Sequence, residues 1–207
     1  MTDCSGLDVF VVDDDVSVRD ALAAVFEVAG FQVTRFAEGD SFVAAARAHP
    51  PACVLLDVHM PGRSGLEILR DIDAQRFGAP IFVISAQGDI PTAVEAIRKG
   101  AYDFIEKPFD PEQVVARVRA AVEGFSQRDG ARRVDPRLLR VPCCERLTPR
   151  ERDVLVQIAS GASNKEAGRQ LGISPRTIEV HRARIMEKLG ARNTADLVRI
   201  VLTAENV

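Results

Sequence analysis

The amino-acid sequence predicts an α/β fold, a doubly wound parallel sheet of five β-α units, joined to a second, smaller, all-α domain of four helices. Three observations carry this. Short apolar runs alternate five times with stretches of helical period up to about residue 122. After residue 145, helix-capping signals recur with no strand-like run between them. The segment joining the two regions has neither period.

The first strand is the apolar run at residues 9–12. The helix after it carries the stripe Val18, Leu22, Val25 and Ala29 at helical spacing, and Gly30 marks its end. Residues 31–36 alternate as a strand, 40–48 read as a helix, 53–56 as a strand, 66–74 as a helix and 81–84 as a strand. Residues 92–99, stopped by Gly100, form the fourth helix, 103–106 a short fifth strand and 111–122 the fifth helix. Parallel strands need crossovers, and these are right-handed, so the sheet is expected to be covered on both faces.

Residues 125–144, rich in Arg and broken by Pro136 and Pro142, read as an inter-domain linker with room for a short helical extension. The expected division is therefore 1–124, 125–144 and 145–207. Beyond the linker, Thr148-Pro149-Arg150-Glu151 is a capping box with proline at the first helical position, opening a helix to about Ala159. Ser163-Asn164-Lys165-Glu166 is a second capping box, and its helix runs to Leu171 before Gly172. Ser174-Pro175 opens a third helix that ends at Leu189-Gly190, and Asn193 or Thr194 opens a fourth. Two of these helices share a tight glycine-containing turn, which is the helix-turn-helix arrangement.

Composition narrows the function. At 46% hydrophobic, the 207 residues suffice for ordinary cores and exclude low-complexity disorder. No apolar run nears the ~18 residues of a membrane span, and the first ten residues hold two acids and no base, so a cytoplasmic protein with no membrane partner is expected. Cys4, Cys53, Cys143 and Cys144 show neither zinc spacing nor a Cys-x-x-Cys pair, and reduced thiols are expected. The net charge of -3 conceals two opposite halves. Residues 1–124 carry 11 bases against 20 acids, and residues 125–207 carry 16 bases against 10 acids. An acidic module joined to one that meets a polyanion, nucleic acid in the first place, has this asymmetry.

In a doubly wound sheet of flavodoxin-like strand order 2-1-3-4-5, functional residues gather beyond the carboxyl ends of the strands, where strand order reverses. Asp13 and Asp14, with Asp15, follow the first strand, and Asp57 follows the third. Crowded carboxylates repel unless a cation sits among them, and hard oxygen ligands suit Mg²⁺, which keeps waters and completes its shell with phosphate. Asp15, Asp20 and Asp103 read instead as caps of helices and turns. Ser85 closes the fourth strand with a hydroxyl and Lys107 the fifth with a cation. Acids, hydroxyl and ammonium together suit phosphoryl chemistry, with a carboxylate as nucleophile. A phosphatase of the haloacid-dehalogenase type would use Asp13-x-Asp15, but the Gly-Thr continuation of that motif is absent.

Residues 6–124 resemble the receiver domain of bacterial two-component response regulators. The resemblance rests on Val11-Val12-Asp13-Asp14, on Leu55-Leu56-Asp57-Val58-His59-Met60-Pro61-Gly62, on Ser85-Ala86, and on Phe104-Ile105-Glu106-Lys107-Pro108-Phe109. It implies that Asp57 accepts the phosphoryl group from a sensor histidine kinase and that Asp14 and Asp57 bind Mg²⁺ directly. Asp13 would assist through water and the His59 backbone carbonyl would complete the protein's share of the metal shell. Ser85 would hold a phosphoryl oxygen, Lys107 would ion-pair with it, the Lys107-Pro108 peptide would be cis, and Phe104 would be the aromatic switch. His59 invites a second reading as an imidazole ligand, which the resemblance displaces by giving the metal its carbonyl. Its side chain is then expected to border the site and affect water access.

In the basic half, the third helix has an inner stripe of Ile178, His181, Ile185 and Leu189. Its outer face carries Arg176, Glu179, Val180, Ala183 and Glu187, a mixture of donor, acceptors and small apolar groups that fits a major groove. Residues 145–203 resemble the LuxR-type helix-turn-helix of FixJ-like regulators through Leu147-Thr148-Pro149-Arg150-Glu151, Ser163-Asn164-Lys165-Glu166, Leu171-Gly172-Ile173-Ser174 and Thr177-Ile178-Glu179-Val180-His181-Arg182. This implies base-edge contacts to double-stranded DNA from Glu179, Val180 and Ala183, and backbone contacts from Asn164, Lys165, Arg176, Thr177 and Arg182. Gly168 stands where the family often has Ala, at a cost of about 1 kcal/mol of helix propensity.

The two halves together resemble the FixJ branch of the NarL/FixJ family of transcription regulators. The resemblance implies a protein that is not a stand-alone enzyme but takes phosphate by Mg²⁺-dependent self-catalysed transfer. It would then form a homodimer, bind promoter DNA and act on RNA polymerase, with activation the expected direction. A phosphorylation-independent DNA binder that keeps its receiver only for dimerisation is the alternative.

Overall fold

The computed structural model describes residues 6–86, 90–130, 147–194, 196–197 and 200. The chain divides into two compact units, Met1–Gln127 and Arg128–Val207.

The first unit is a five-stranded sheet in the order β2-β1-β3-β4-β5, every pairing parallel. Its strands are β1 (Asp8–Val12), β2 (Gln32–Phe36), β3 (Cys53–Asp57), β4 (Ile81–Ala86) and β5 (Asp103–Lys107). Its helices are α1 (Val16–Val28), α2 (Gly39–Ala48), α3 (Gly65–Asp71), α4 (Ile90–Lys99) and α5 (Pro111–Gly130). The predicted alternation, order and class are those observed. The central strands are apolar without interruption because both faces are covered: Val9–Val12 and Cys53–Leu56 are almost wholly buried, as are Ile81, Phe82, Val83 and Ile84.

Local chemistry sets the helix ends. Asp15 caps α1 by accepting from the Ser17 N–H at 2.8 Å, as its reading as a capping residue requires. Ser64 and Glu67 form a reciprocal capping box at α3. Two boundaries depart from expectation by three residues or more. The helix read at 66–74 closes at Asp71, where Asp73 turns the chain at φ 49°. The fifth helix passes residue 122 and continues to Gly130, into the segment read as linker; residues 131–144 of that segment lie outside the described residues.

The second unit contains α6 (Pro149–Ala159), α7 (Asn164–Leu171) and α8 (Pro175–Leu189), which pack pairwise. Both predicted capping boxes are formed, Thr148 with Glu151 and Ser163 with Glu166, and Ser174 caps α8. Gly172 and Gly190 end α7 and α8 with φ 66° and 68°, where a side chain would be strained. A further helical turn opens at Thr194, capped by Asn193, which accepts from the Asp196 N–H at 2.9 Å; most of the chain beyond this turn lies outside the described residues. Val154, Leu155, Ile158, Ile173, Ile178 and Ile185 make the core.

Gly168 is more than a loss of helix propensity. A Cβ there would stand 2.7 Å from the Ile173 carbonyl oxygen and 3.3 Å from Pro175 N, so the missing side chain lets α7 approach the turn that leads into α8. Among the described residues no helix is long and apolar enough to cross a membrane. Cys53 is a free, buried thiol whose pKa burial pushes up; the other three cysteines lie outside the described residues.

Candidate functional site

Because all five strands are parallel, their carboxyl ends share one edge, and β1 lies between β2 and β3 where the winding reverses. Asp13 follows β1, Asp57 ends β3, Ser85 is the penultimate residue of β4 and Lys107 ends β5. Lys107 Nζ donates to Asp57 Oδ1 at 2.7 Å and to Asp13 Oδ2 at 2.9 Å, so one ammonium ties three strands together. Both carboxylates are almost completely buried, while the lysine is partly exposed.

The electrostatics follow from this placement. Burial is the main reason the Asp13 carboxyl sits above its usual pKa; the bonds from Lys107 and the Asp15 N–H oppose that, and the Asp57 charge adds to it. Burial by itself would lower the Lys107 pKa, but the bonds to Asp57 and Asp13 outweigh it and hold the ammonium above its usual value. Two carboxylates share one cation, which leaves an excess negative charge in a poorly solvated place.

The remaining predicted residues surround this pair. The His59 N–H donates to Asp57 Oδ2 at 2.7 Å, which fixes the carboxylate from the loop side, while the His59 side chain is exposed. Ser85 Oγ is buried and finds no hydrogen-bond partner among the described residues. Phe104 is buried in β5, three residues before Lys107, and the Lys107-Pro108 bond is cis. Asp14 is exposed at the start of the β1–α1 loop. Among the described residues no group of three or more His, Cys, Asp or Glu side chains is arranged to hold a metal ion. Mg²⁺ asks for less, one or two carboxylates and several waters. An oxygen-only donor set with uncompensated negative charge fits such a cation.

Two residues that sequence reasoning missed support β5 and β1. Asp103, expected to cap a turn, is completely buried; it accepts the Phe104 N–H at 2.9 Å and is ion-paired with Arg117 of α5. Arg117 also donates to the Phe104 carbonyl at 2.8 Å and lies 5.8 Å from the Phe82 ring centroid. Arg19 donates to the Asp13 carbonyl at 2.6 Å. Neither arginine belongs to a local motif, so spacing along the chain carries no signal for them. Asp20, the third acid read as a cap, pairs instead with Arg35 at 3.7 Å on the surface.

In the second unit, α8 places its residues as the stripe predicts except at Leu189, which is half-buried. Ile178, His181 and Ile185 are buried, Glu179, Ala183 and Glu187 are exposed, and Arg176 and Val180 are half-buried. Lys165 is exposed in the first turn of α7. Thr177 departs from expectation. It is completely buried, its hydroxyl is 2.8 Å from Ser174 Oγ and its N–H donates to the same oxygen, so it serves the helix cap and does not present itself to a phosphate. Asn164 and Arg182 are bonded to each other and to neighbours on the same edge. Beneath α8, Glu151 is buried with Lys188 at 2.7 Å and Arg184 at 3.7 Å. Burial works to raise its pKa, but Lys188 and the Thr148 N–H outweigh this and hold it below the usual value.

Residues 9–119 match the response regulator receiver domain family, and residues 145–201 match the luxR family of bacterial regulatory proteins. Over 197 residues the chain is 39% identical to the transcriptional regulatory protein FixJ of Bradyrhizobium diazoefficiens, covering 95% of each chain. With FixJ of Azorhizobium caulinodans the identity is 42% over 202 residues, 96% of this chain and 93% of that one. Among solved structures, full-length FixJ from B. japonicum aligns over 98% of this chain and 99% of its own, with 36% identity and a TM-score of 0.57. The response regulator StyR aligns over 95% of this chain and 98% of its own, with 38% identity and a TM-score of 0.54.

Proposed function

The chain belongs to the FixJ-like two-component response regulators, transcription regulators that combine a receiver with a LuxR-type DNA-binding domain, and on that premise we propose that phosphorylation of Asp57 switches its DNA binding. The observation that carries the reading is the buried Asp57 carboxylate held between the Lys107 ammonium and the His59 N–H. A carboxylate fixed at both oxygens is oriented for in-line attack on a phosphorus atom.

The donor is a phosphohistidine of a sensor kinase. The P–N bond breaks, an Asp57 oxygen forms the new P–O bond, and the imidazole leaves with the electron pair. Asp13, Asp14, Asp57 and the His59 carbonyl would hold Mg²⁺, which supplies charge neutralisation for the phosphoryl oxygens. Lys107 stays beside the new acyl phosphate as its counter-charge. Ser85 Oγ, buried and unpaired among the described residues, donates to a phosphoryl oxygen, and Ser85 and Phe104 move toward the new charge.

Residues 1–124 act as receiver, 125–144 as linker and 145–207 as reader. Phosphorylated receivers pair, and two readers dock on half-sites related by a two-fold axis, in contact with RNA polymerase, in the cytoplasm. On each reader α8 enters the major groove with Glu179, Val180 and Ala183 toward base edges, and Lys165 and Arg176 hold phosphates, while Asn164 and Arg182 are bonded to each other on the same edge. The test of the acceptor is direct. Incubated with Mg²⁺ and acetyl phosphate, the wild type takes up one base- and hydroxylamine-labile phosphoryl group and Asp57→Asn takes up none. Equal labelling of both would overturn the assignment.

A further inference from the structure

Four side chains where α7, α8 and the turn opened by Asn193 meet form one hydrogen-bonded run. Arg182 Nη2 donates to Thr194 Oγ1 at 2.8 Å, Arg182 Nη1 donates to Asn164 Oδ1 at 3.1 Å, and Asn164 Nδ2 donates to Glu179 Oε1 at 3.2 Å. The order of donors and acceptors has a direction. A guanidinium only donates and a carboxylate only accepts, so the Asn164 amide satisfies both neighbours in one orientation, with its oxygen toward Arg182 and its nitrogen toward Glu179. The run therefore ends on an acceptor, and Glu179, exposed on the outer face of α8, keeps lone pairs beyond the one given to Asn164.

A glutamate without such support loses rotamer freedom when it docks; one already held by a neighbour loses less, and its geometry is set before contact. The chemistry of the end group selects the partner. In the major groove a carboxylate accepts from the N4 amino group of cytosine. It meets only acceptors on guanine and an acceptor with a methyl on thymine, and on adenine the amino group stands beside the N7 acceptor, which repels it.

We propose that Asn164, Arg182 and Thr194 are positioning residues that hold Glu179 as a pre-oriented acceptor for cytosine N4, so that Thr194, outside both α7 and α8, belongs to the sequence-reading machinery. Arg182 acts through Asn164, a different task from holding a phosphate. The inference rests on the reading of α8 as the groove-facing helix, and its test separates the two.

The full chain, with Mg²⁺ and beryllofluoride, is used to select from a randomised double-stranded DNA library, and affinities for the selected duplex and its single-base-pair variants are then measured across a salt series. Glu179→Gln identifies the base pair that Glu179 reads, expected to be C·G. Thr194→Val, Asn164→Ala and Arg182→Lys are each expected to relax discrimination at that same base pair by about tenfold. Discrimination elsewhere stays unchanged, and Thr194→Val and Asn164→Ala leave the salt slope as in wild type. Arg182→Lys keeps the charge and guards against misfolding of the truncated variants. Relaxation in Glu179→Gln with none in the other three overturns the positioning run. If Glu179→Gln also leaves every base preference unchanged, the reading of α8 on which the proposal stands is overturned with it.

Discussion

The Lys107 ammonium lies 2.7 Å from Asp57 Oδ1 and in the same geometry reaches Asp13, so the residue that neutralises the Asp57 carboxylate also anchors β5 to β1 and β3. Removing it leaves two buried carboxylates facing each other. Lys107→Met is expected to lower the stability of the receiver by about 2 kcal/mol, less than for a fully buried pair because the lysine is partly exposed. The measurement is the urea midpoint at pH 7, and Mg²⁺ should restore part of the loss by binding the folded state. An unchanged midpoint contradicts the charge balance described for the site.

Arg117 satisfies the fully buried Asp103 and the Phe104 carbonyl together. Arg117→Ala is expected to cost roughly 3 kcal/mol, because it abandons a buried carboxylate. Asp103→Leu combined with Arg117→Leu should recover most of that, since no unpaired charge remains. Urea midpoints of the two variants check this, and a double variant no more stable than the single one speaks against the pairing.

His181 in α8 is buried, and both of its ring nitrogens lack partners among the described residues. Burial, followed by the nearby Arg150 charge, depresses its pKa from 6.5 to about 3, with Arg184 and Lys188 acting the same way and Glu151 opposing. The unfolded chain binds a proton below about pH 6.5 that the folded domain refuses. The stability this group contributes is therefore complete above about pH 6.5 and is lost as the pH falls toward 3. From pH 7 to pH 5 the loss amounts to about 2 kcal/mol. Glu151, with its lowered pKa, adds its own loss only below the usual carboxylate range. Amide exchange in α8 of the full chain follows the effect, and His181→Leu should flatten the profile.

Thr177 and Lys165 separate cap from contact. Thr177→Val is expected to cost about 1 kcal/mol of stability by removing the hydroxyl from the α8 cap, while the salt slope of DNA binding stays as in wild type. Lys165→Ala should leave stability alone and reduce that slope by about one. A reversed pattern would return Thr177 to the phosphate contacts.

What could be read from the chain depended on how local each feature is. The capping boxes at Thr148 and Ser163 involve residues three apart, and both are formed. The placement of Asp13, Asp57, Ser85 and Lys107 at strand ends was legible because parallel topology carries every strand's carboxyl end to one edge. The rest needed three dimensions. Glu151 reads as a capping residue, but its pairing with Lys188 joins α6 to α8 across 37 positions. The resemblance implies a DNA contact from Thr177, yet that side chain is buried and bonded to Ser174 in the α8 cap. Gly168 read as a plain propensity loss until the Ile173 carbonyl was found beside it. Helix α5 passed its expected end because Gly124 weakens a helix without breaking it.

Under the proposed function, a phosphoryl group on Asp57 is what couples the receiver to DNA. Molar mass and DNA affinity of the full chain, measured with Mg²⁺ with and without beryllofluoride, test it for wild type beside Asp57→Asn. A wild type that doubles in mass and gains about 5- to 150-fold in affinity, next to an unresponsive Asp57→Asn, is the predicted result. Identical responses from the two proteins would contradict it.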